Sequence, residues 1–236
     1  MTEGKESGDK MEGYRAICLW IAELAPLAAT MFAFIYGLRH FFKKGKPMCL
    51  QSLTMAMGCH SLGSIYHVCQ SLTNETLLEG FTPAYLGRIG FFLFLIAASY
   101  GQLDRIVDDG SPAMRPSRYI ALIAPMMAAL LYWPNAIIDD VPISTKIAVL
   151  LVWLPALPSV YFNLKHAIIP DRDYGFIRAI KPYNVLATCL GFSELLCLTA
   201  WDYYYMPQLA LTTLIFAVLA VATILVAKRG TERWTI

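Results

Sequence analysis

The chain has 236 residues, 57% of them hydrophobic and only 15% charged, with a mean hydropathy of +0.52. A soluble domain of this length carries roughly 25% charged residues, so a water-soluble globular fold is excluded and most of the surface must face hydrocarbon. The formal charge of +2 is too small to imply a nucleic-acid partner.

Residues 1–13 are polar and mixed in charge, the composition of a disordered tail. They lack the compact basic, apolar, small-residue order of a cleaved secretory signal. Seven apolar runs follow, near 14–38, 47–72, 84–103, 117–134, 143–164, 182–201 and 206–227. Each reaches the length of about 20 residues that crosses roughly 30 Å of hydrocarbon. The breaks carry turn chemistry: Lys43-Lys44-Gly45-Lys46-Pro47, Asn74-Glu75-Thr76, Asp108-Asp109-Gly110-Ser111-Pro112, Trp133-Pro134-Asn135, Pro170-Asp171-Arg172-Asp173 and Met206-Pro207. The expected fold is therefore all-α, a seven-helix transmembrane bundle over residues 14–227. A short basic tail, 228–236, follows it, and the spans leave no room within the chain for a soluble domain.

Basic residues set the orientation, because Lys and Arg resist translocation. Fourteen of them fall on one side: Arg39, Lys43, Lys44 and Lys46; Arg105, Arg115 and Arg118; Lys165, Arg172, Arg178 and Lys181; Lys228, Arg229 and Arg233. The other side holds Lys5, Lys10, Arg15 and Lys146, and Arg88 lies inside a span. This predicts the N-terminus outside and the C-terminus in the cytoplasm, in a plasma or inner membrane. Trp133, Trp201 and Tyr203 to Tyr205 then fall at outer span ends, where amphipathic rings favour the interface. The six cysteines lie in or at the ends of apolar runs and read as small buried packing residues.

Ionisable groups inside a bilayer cost roughly 2.5–3.5 kcal/mol or more each, so they need a partner or a purpose. Counted at 1.5 Å per residue, Glu23, His67, Arg88 and Glu194 all lie roughly 6–14 Å below the outer surface. His60 lies deeper, and Asp202 marks the outer mouth of the sixth span. Together these six residues outline a polar, outward-open ligand pocket in which Arg88 pairs with Glu23 or Glu194. His60 and His67 are two turns, about 10.5 Å, apart, too far to share one metal at about 2.1 Å; no metal or other cofactor is expected. Gly58, Ser61, Gly63 and Ser64 allow close helix contact or leave room for a ligand. A second polar group, Tyr100, Gln102, Asp104 and Arg105 with His40, Asn163 and His166, reads as helix-end solvation and snorkelling. Asn184 reads as a helix–helix hydrogen bond.

Tyr36-Gly37-Leu38-Arg39-His40 ends the first span and Phe162-Asn163-Leu164-Lys165-His166 ends the fifth, both aromatic-x-Leu-basic-His. Seven spans in which the first three echo the last three would be similar in plan to the parallel repeats of SWEET-type sugar transporters. No phosphate-binding loop, dinucleotide fingerprint, zinc-protease helix or nucleophile elbow is present, and no lysine lies mid-span in the seventh helix to hold retinal. Three readings follow. The first is a small-molecule transporter or receptor-like sensor, the sensor needing a cytoplasmic partner. The second is a membrane-embedded enzyme with Glu194 as acid and His60 as base on a lipid or isoprenoid-like substrate. The third is a structural subunit of a larger membrane complex; the partners expected throughout are the lipid bilayer and a second copy of the chain or a cytoplasmic protein.

Overall fold

Backbone N–H and C=O groups in hydrocarbon must pair within their own segment, which apolar runs achieve as helices. The computed structural model describes residues 3–41, 48–73, 81–100, 104, 108, 110–137, 142–170, 176–199 and 206–232. Side chains are described from Gly13 in the first helix, and over 180–199 and 207–230 in the last two. Helix α1 is Glu3–Phe41, α2 Met48–Thr73 and α3 Pro83–Tyr100. A 3-10 turn, Pro112–Met114, leads into α4, Arg115–Ala121, and α5, Ile123–Ile137. Then come α6, Ile143–Ile168, α7, Phe176–Thr199, and α8, Met206–Glu232. The 3-10 turn, α4 and α5 read as one run, Pro112–Ile137, so the elements resolve into seven helical runs.

Five of these runs are long and apolar enough to cross a membrane: α1 from Gly13, α3, Pro112–Ile137, α6 and α8 from Pro207 to Gly230. The chain is a multi-pass helical membrane protein. The other two, α2 and α7, have 26 and 24 residues, so they fall short in apolarity rather than length. They are the helices that carry His60, His67, Asn184 and Glu194.

Each helix packs mainly on its neighbours in a closed ring: α1 on α2, α2 on α3, α3 on α6, α6 on α7, α7 on α8 and α8 on α1, with α2 also reaching α8. Helices α4 and α5 lie outside that ring against α6 and α7. The neighbour order within α1–α3 is repeated within α6–α8. The two matching sequence motifs nevertheless do different work. His40 Nδ1 meets the Tyr36 carbonyl of its own helix at 3.0 Å, whereas His166 is fully buried and reaches Asp104.

Large side chains fill the middle of the ring. Leu53 and Met57 of α2, Phe91 and Phe92 of α3, Leu190 of α7 and Phe216 of α8 are all buried. Apolar side chains also face outward, with Leu62 69% and Val218 68% exposed, as hydrocarbon-facing surfaces require. Trp153 Nε1 donates to the Ala128 carbonyl at 2.8 Å and fixes α5 on α6. The tightest crossing is between α2 and α3. A methyl placed on Gly87 would lie 2.6 Å from both the Cys59 carbonyl oxygen and Gly63 Cα, so the two backbones touch with nothing between them.

Four expectations change. Residues 1–13, read as a disordered tail, are helical from Glu3 in backbone, because extending an established helix is far easier than starting one. Pro134 does not close the fourth span, since α5 runs on to Ile137. The helix read as the sixth span begins at Phe176, with Pro182 inside it. Cys69 and Cys189 are exposed rather than packed, while Cys18 and Cys49 are buried as expected. Trp201 and Tyr203 to Tyr205 lie outside the described residues.

Candidate functional site

The Gly63–Gly87 crossing places His60 and Ser64 of α2 beside Arg88 of α3. Helix α7 supplies Glu194, only 2% exposed, and both its carboxylate oxygens are engaged. Arg88 Nε donates to Oε1 at 2.9 Å, and His60 Nε2 lies 3.1 Å from Oε2. On the other side of the imidazole, Ser64 Oγ lies 3.2 Å from His60 Nδ1. One consistent proton assignment has Nε2–H donating to Glu194 and the Ser64 hydroxyl donating to Nδ1. The ring is held from the core side by Phe216, stacked at 4.6 Å between centroids, and by the edge of Phe91 at 5.3 Å. Arg88 also lies over the Tyr85 ring at 5.8 Å.

A cavity of about 170 Å³ opens above this cluster. Glu23, His60, Ser64, His67, Arg88 and Glu194 all line it, with Leu19, Pro26 and Leu209 among its apolar wall. Glu23 Oε1 accepts from Ser71 Oγ at 2.8 Å, which ties α1 to α2. The His67 ring has no hydrogen-bond partner among the described residues, and its Nε2 and Nδ1 stay available to whatever fills the space. A polar void of this size holds on the order of five waters at about 30 Å³ each. It also matches the roughly 150 Å³ cavity known to admit benzene, so a guest of single-ring size fits.

Five of the six residues expected at the pocket thus converge, and Arg88 takes Glu194 rather than Glu23 as its partner. Asp202 lies outside the described residues. Sequence reasoning missed Ser71, Thr213 and Cys197, which lie on or beside the cavity. Ser71 had a signal, since it follows His67 by one turn on the same helix face. Among the described residues no group of three His, Cys, Asp or Glu side chains is placed to hold a metal ion.

The second polar group is not solvated in the expected way. Lys165 is 3% exposed and His166 fully buried. Lys165 Nζ pairs with Asp104 and lies 3.3 Å from Asp108 Oδ2, while His166 Nε2 lies 2.9 Å from Asp104 Oδ1. Arg118 clamps Asp108 with two bonds of 2.8 and 2.5 Å. Burial pushes the Asp104 carboxyl upward, but the bonds and charges of His166 and Lys165 outweigh it and leave it below its ordinary value. The Arg118 guanidinium holds Asp108 well below the usual carboxylate range, against a smaller push from burial. The sequence presents Lys165 only as a basic residue at the end of the fifth span; the two carboxylates after α3 stabilise its burial. Above this network Ser99 Oγ donates to Asn163 Oδ1 at 2.6 Å. Asn184, expected to bond between helices, has no partner for either amide atom among the described residues.

Arg88 and Tyr100, the last residue of α3, are 12 residues apart, about 18 Å along that helix, and Asp104 lies beyond it. The protein therefore has a polar cavity toward one end, an ion network at the other, and a packed apolar layer between. No family model, curated protein or solved structure matches the chain.

Proposed function

We propose that this protein binds a small molecule in the cavity between α1, α2, α3, α7 and α8, and that it does so as a transporter. The observation that carries the reading is the convergence of Glu23, His60, His67, Arg88 and Glu194 on one cavity of about 170 Å³. Their burial would otherwise be a needless expense in hydrocarbon. Transport is favoured over receptor-like sensing because the far end carries the Asp104–Lys165–Asp108 ion network, the kind of contact that serves as a gate in alternating access. In this reading all seven runs cross the bilayer, including α2 and α7, whose polar residues face the ring interior. The distribution of Lys and Arg places the cavity toward the outside and the ion network toward the cytoplasm.

Cys197 lines the cavity and provides a native probe. In right-side-out vesicles a small, membrane-impermeant methanethiosulfonate should modify Cys197, and a transported solute should protect it while accumulating in proteoliposomes. Cys197 that stays unmodified, together with a Ser64→Cys variant that also stays unmodified, under conditions that label the exposed Cys69 would remove the accessible cavity and with it this reading.

A second reading has a specific observation behind it. Ser64, His60 and Glu194 form a hydroxyl–imidazole–carboxylate chain at 3.2 and 3.1 Å along the cavity wall, the order used to activate a serine nucleophile. An enzyme of this type would act on an ester or amide that reaches the cavity from the lipid. A fluorophosphonate probe that labels the protein, but not Ser64→Ala, would establish it; absence of labelling at Ser64 ends it.

A further inference from the structure

The cavity's unused hydrogen-bonding capacity narrows the class of ligand, on the assumption that the binding reading above holds. Glu194 is spent, since Arg88 occupies one oxygen and His60 the other. Arg88 is not. A guanidinium has five N–H donors in a rigid fork, and only Nε is engaged among the described residues, while a quarter of the side chain stays exposed. Its terminal edge is thus available to a carboxylate, the group that an arginine fork fits best. Glu23, from α1, lines the same cavity and uses only Oε1, toward Ser71. Its second oxygen is available to an ammonium group.

With neutral imidazoles the wall carries Arg88, Glu194 and Glu23, a net single negative charge. A simple anion at the fork would face Glu23 in the same small space. A simple cation at Glu23 would leave the Arg88 donors to water. A molecule with an ammonium group at one end and a carboxylate at the other satisfies both walls at once. The volume of about 170 Å³ admits a molecule of single-ring size, and Leu19, Pro26 and Leu209 offer a short aliphatic chain something to lie against. We infer that the ligand is a small amino-acid-like zwitterion, its carboxylate on the Arg88 fork and its ammonium on Glu23.

Calorimetric titration of the full chain in lipid nanodiscs tests this with glycine, L-alanine, β-alanine and γ-aminobutyrate. Ethylamine and propionate serve as single-ended counterparts, and propanol as a neutral one. At least one zwitterion is expected to bind tenfold or more tightly than both single-ended compounds. Glu23→Gln, at a partly exposed position with no buried pair to break, should weaken the zwitterion and ethylamine at least tenfold and leave propionate unchanged or improved. Arg88→Lys, which keeps the charge beside Glu194, should weaken the zwitterion and propionate instead. Ethylamine or propionate binding as tightly as every zwitterion would overturn the inference while leaving the binding site in place. Zwitterion affinity unchanged by Glu23→Gln would overturn it likewise. No binding of any zwitterion also overturns it, and only the further failure to reach both Cys197 and the Ser64→Cys variant removes the site itself.

Discussion

Glu194 is the residue on which the site turns, because one carboxylate satisfies both a guanidinium and an imidazole in a setting where an unpaired charge is costly. Glu194→Gln should destabilise the protein, by less than the about 3–5 kcal/mol of a fully buried pair, since it leaves a part-buried Arg88 without its counter-charge. Replacing both partners with apolar residues, Arg88→Met with Glu194→Leu, should recover most of that loss in detergent thermal melts while ligand binding stays absent. If the double variant also bound ligand, the pair would be purely structural. At the other end, Asp108 gives a pH-dependent prediction. A carboxyl held below its ordinary value near 3.8 adds stability that is complete above that value and lost as pH falls through the lower folded one. Asp108→Asn should therefore melt below the parent at pH 7, and the gap should close only below about pH 4; a gap that closes already at pH 6 would assign the effect to a histidine. The depth of the charged residues was legible because depth is a count along a helix. Their partners were not. Arg88 lay level with both Glu23 and Glu194, and choosing between them needs the angle at which each helix faces the ring. The burial of Lys165 was also hidden, although Asp104 and Asp108 stand one turn apart at the level of Lys165 and His166, a pattern of opposite charges that identifies the network in retrospect.

At the scale of the helix, the α2–α3 crossing positions the chemistry. Gly63 and Gly87 let the backbones touch, so His60, Ser64 and Arg88 can all reach one carboxylate on α7. Gly87→Ala puts a methyl against backbone atoms that cannot rotate away. The helices must part, at a cost of about 1–3 kcal/mol by analogy with overpacked cores, and the His60–Glu194 contact should loosen with them. The check is a lower melting temperature together with weaker ligand binding, compared with Gly13→Ala, where an added methyl meets nothing. Equal melting temperatures would show that the crossing relaxes freely. Element lengths were readable from hydrophobic runs, because a bilayer imposes its thickness on them. The continuation of helix through Pro134 and Pro182 was not, since a proline's lost bond can be replaced by tertiary surroundings that the local sequence does not reveal.

For the whole molecule, the ring order fits the composition of α2 and α7, the two long runs that fall short in apolarity. Each sits between two ring neighbours and carries polar groups of the cavity wall, while side chains such as Leu62 face outward. Orientation is the prediction that belongs here. A protease site or epitope placed before Gly13 should be reached from outside intact cells, and one placed after Gly230 only after permeabilisation. Finding the two ends exchanged would reverse the assignment of cavity and ion network to their sides, and with it the side from which ligand enters, whereas both ends on one face would remove the seven-span reading.

The packed layer of Phe91, Phe92, Leu53, Met57 and Phe216 carries a consequence for electrical behaviour. Among the described residues these buried side chains lie between the cavity and the Asp104–Lys165 network, so protons and inorganic ions are expected to meet a dielectric barrier there. Reconstituted in a planar bilayer, the protein should therefore show no unitary current, and steady single-channel openings would show that this layer is not a barrier.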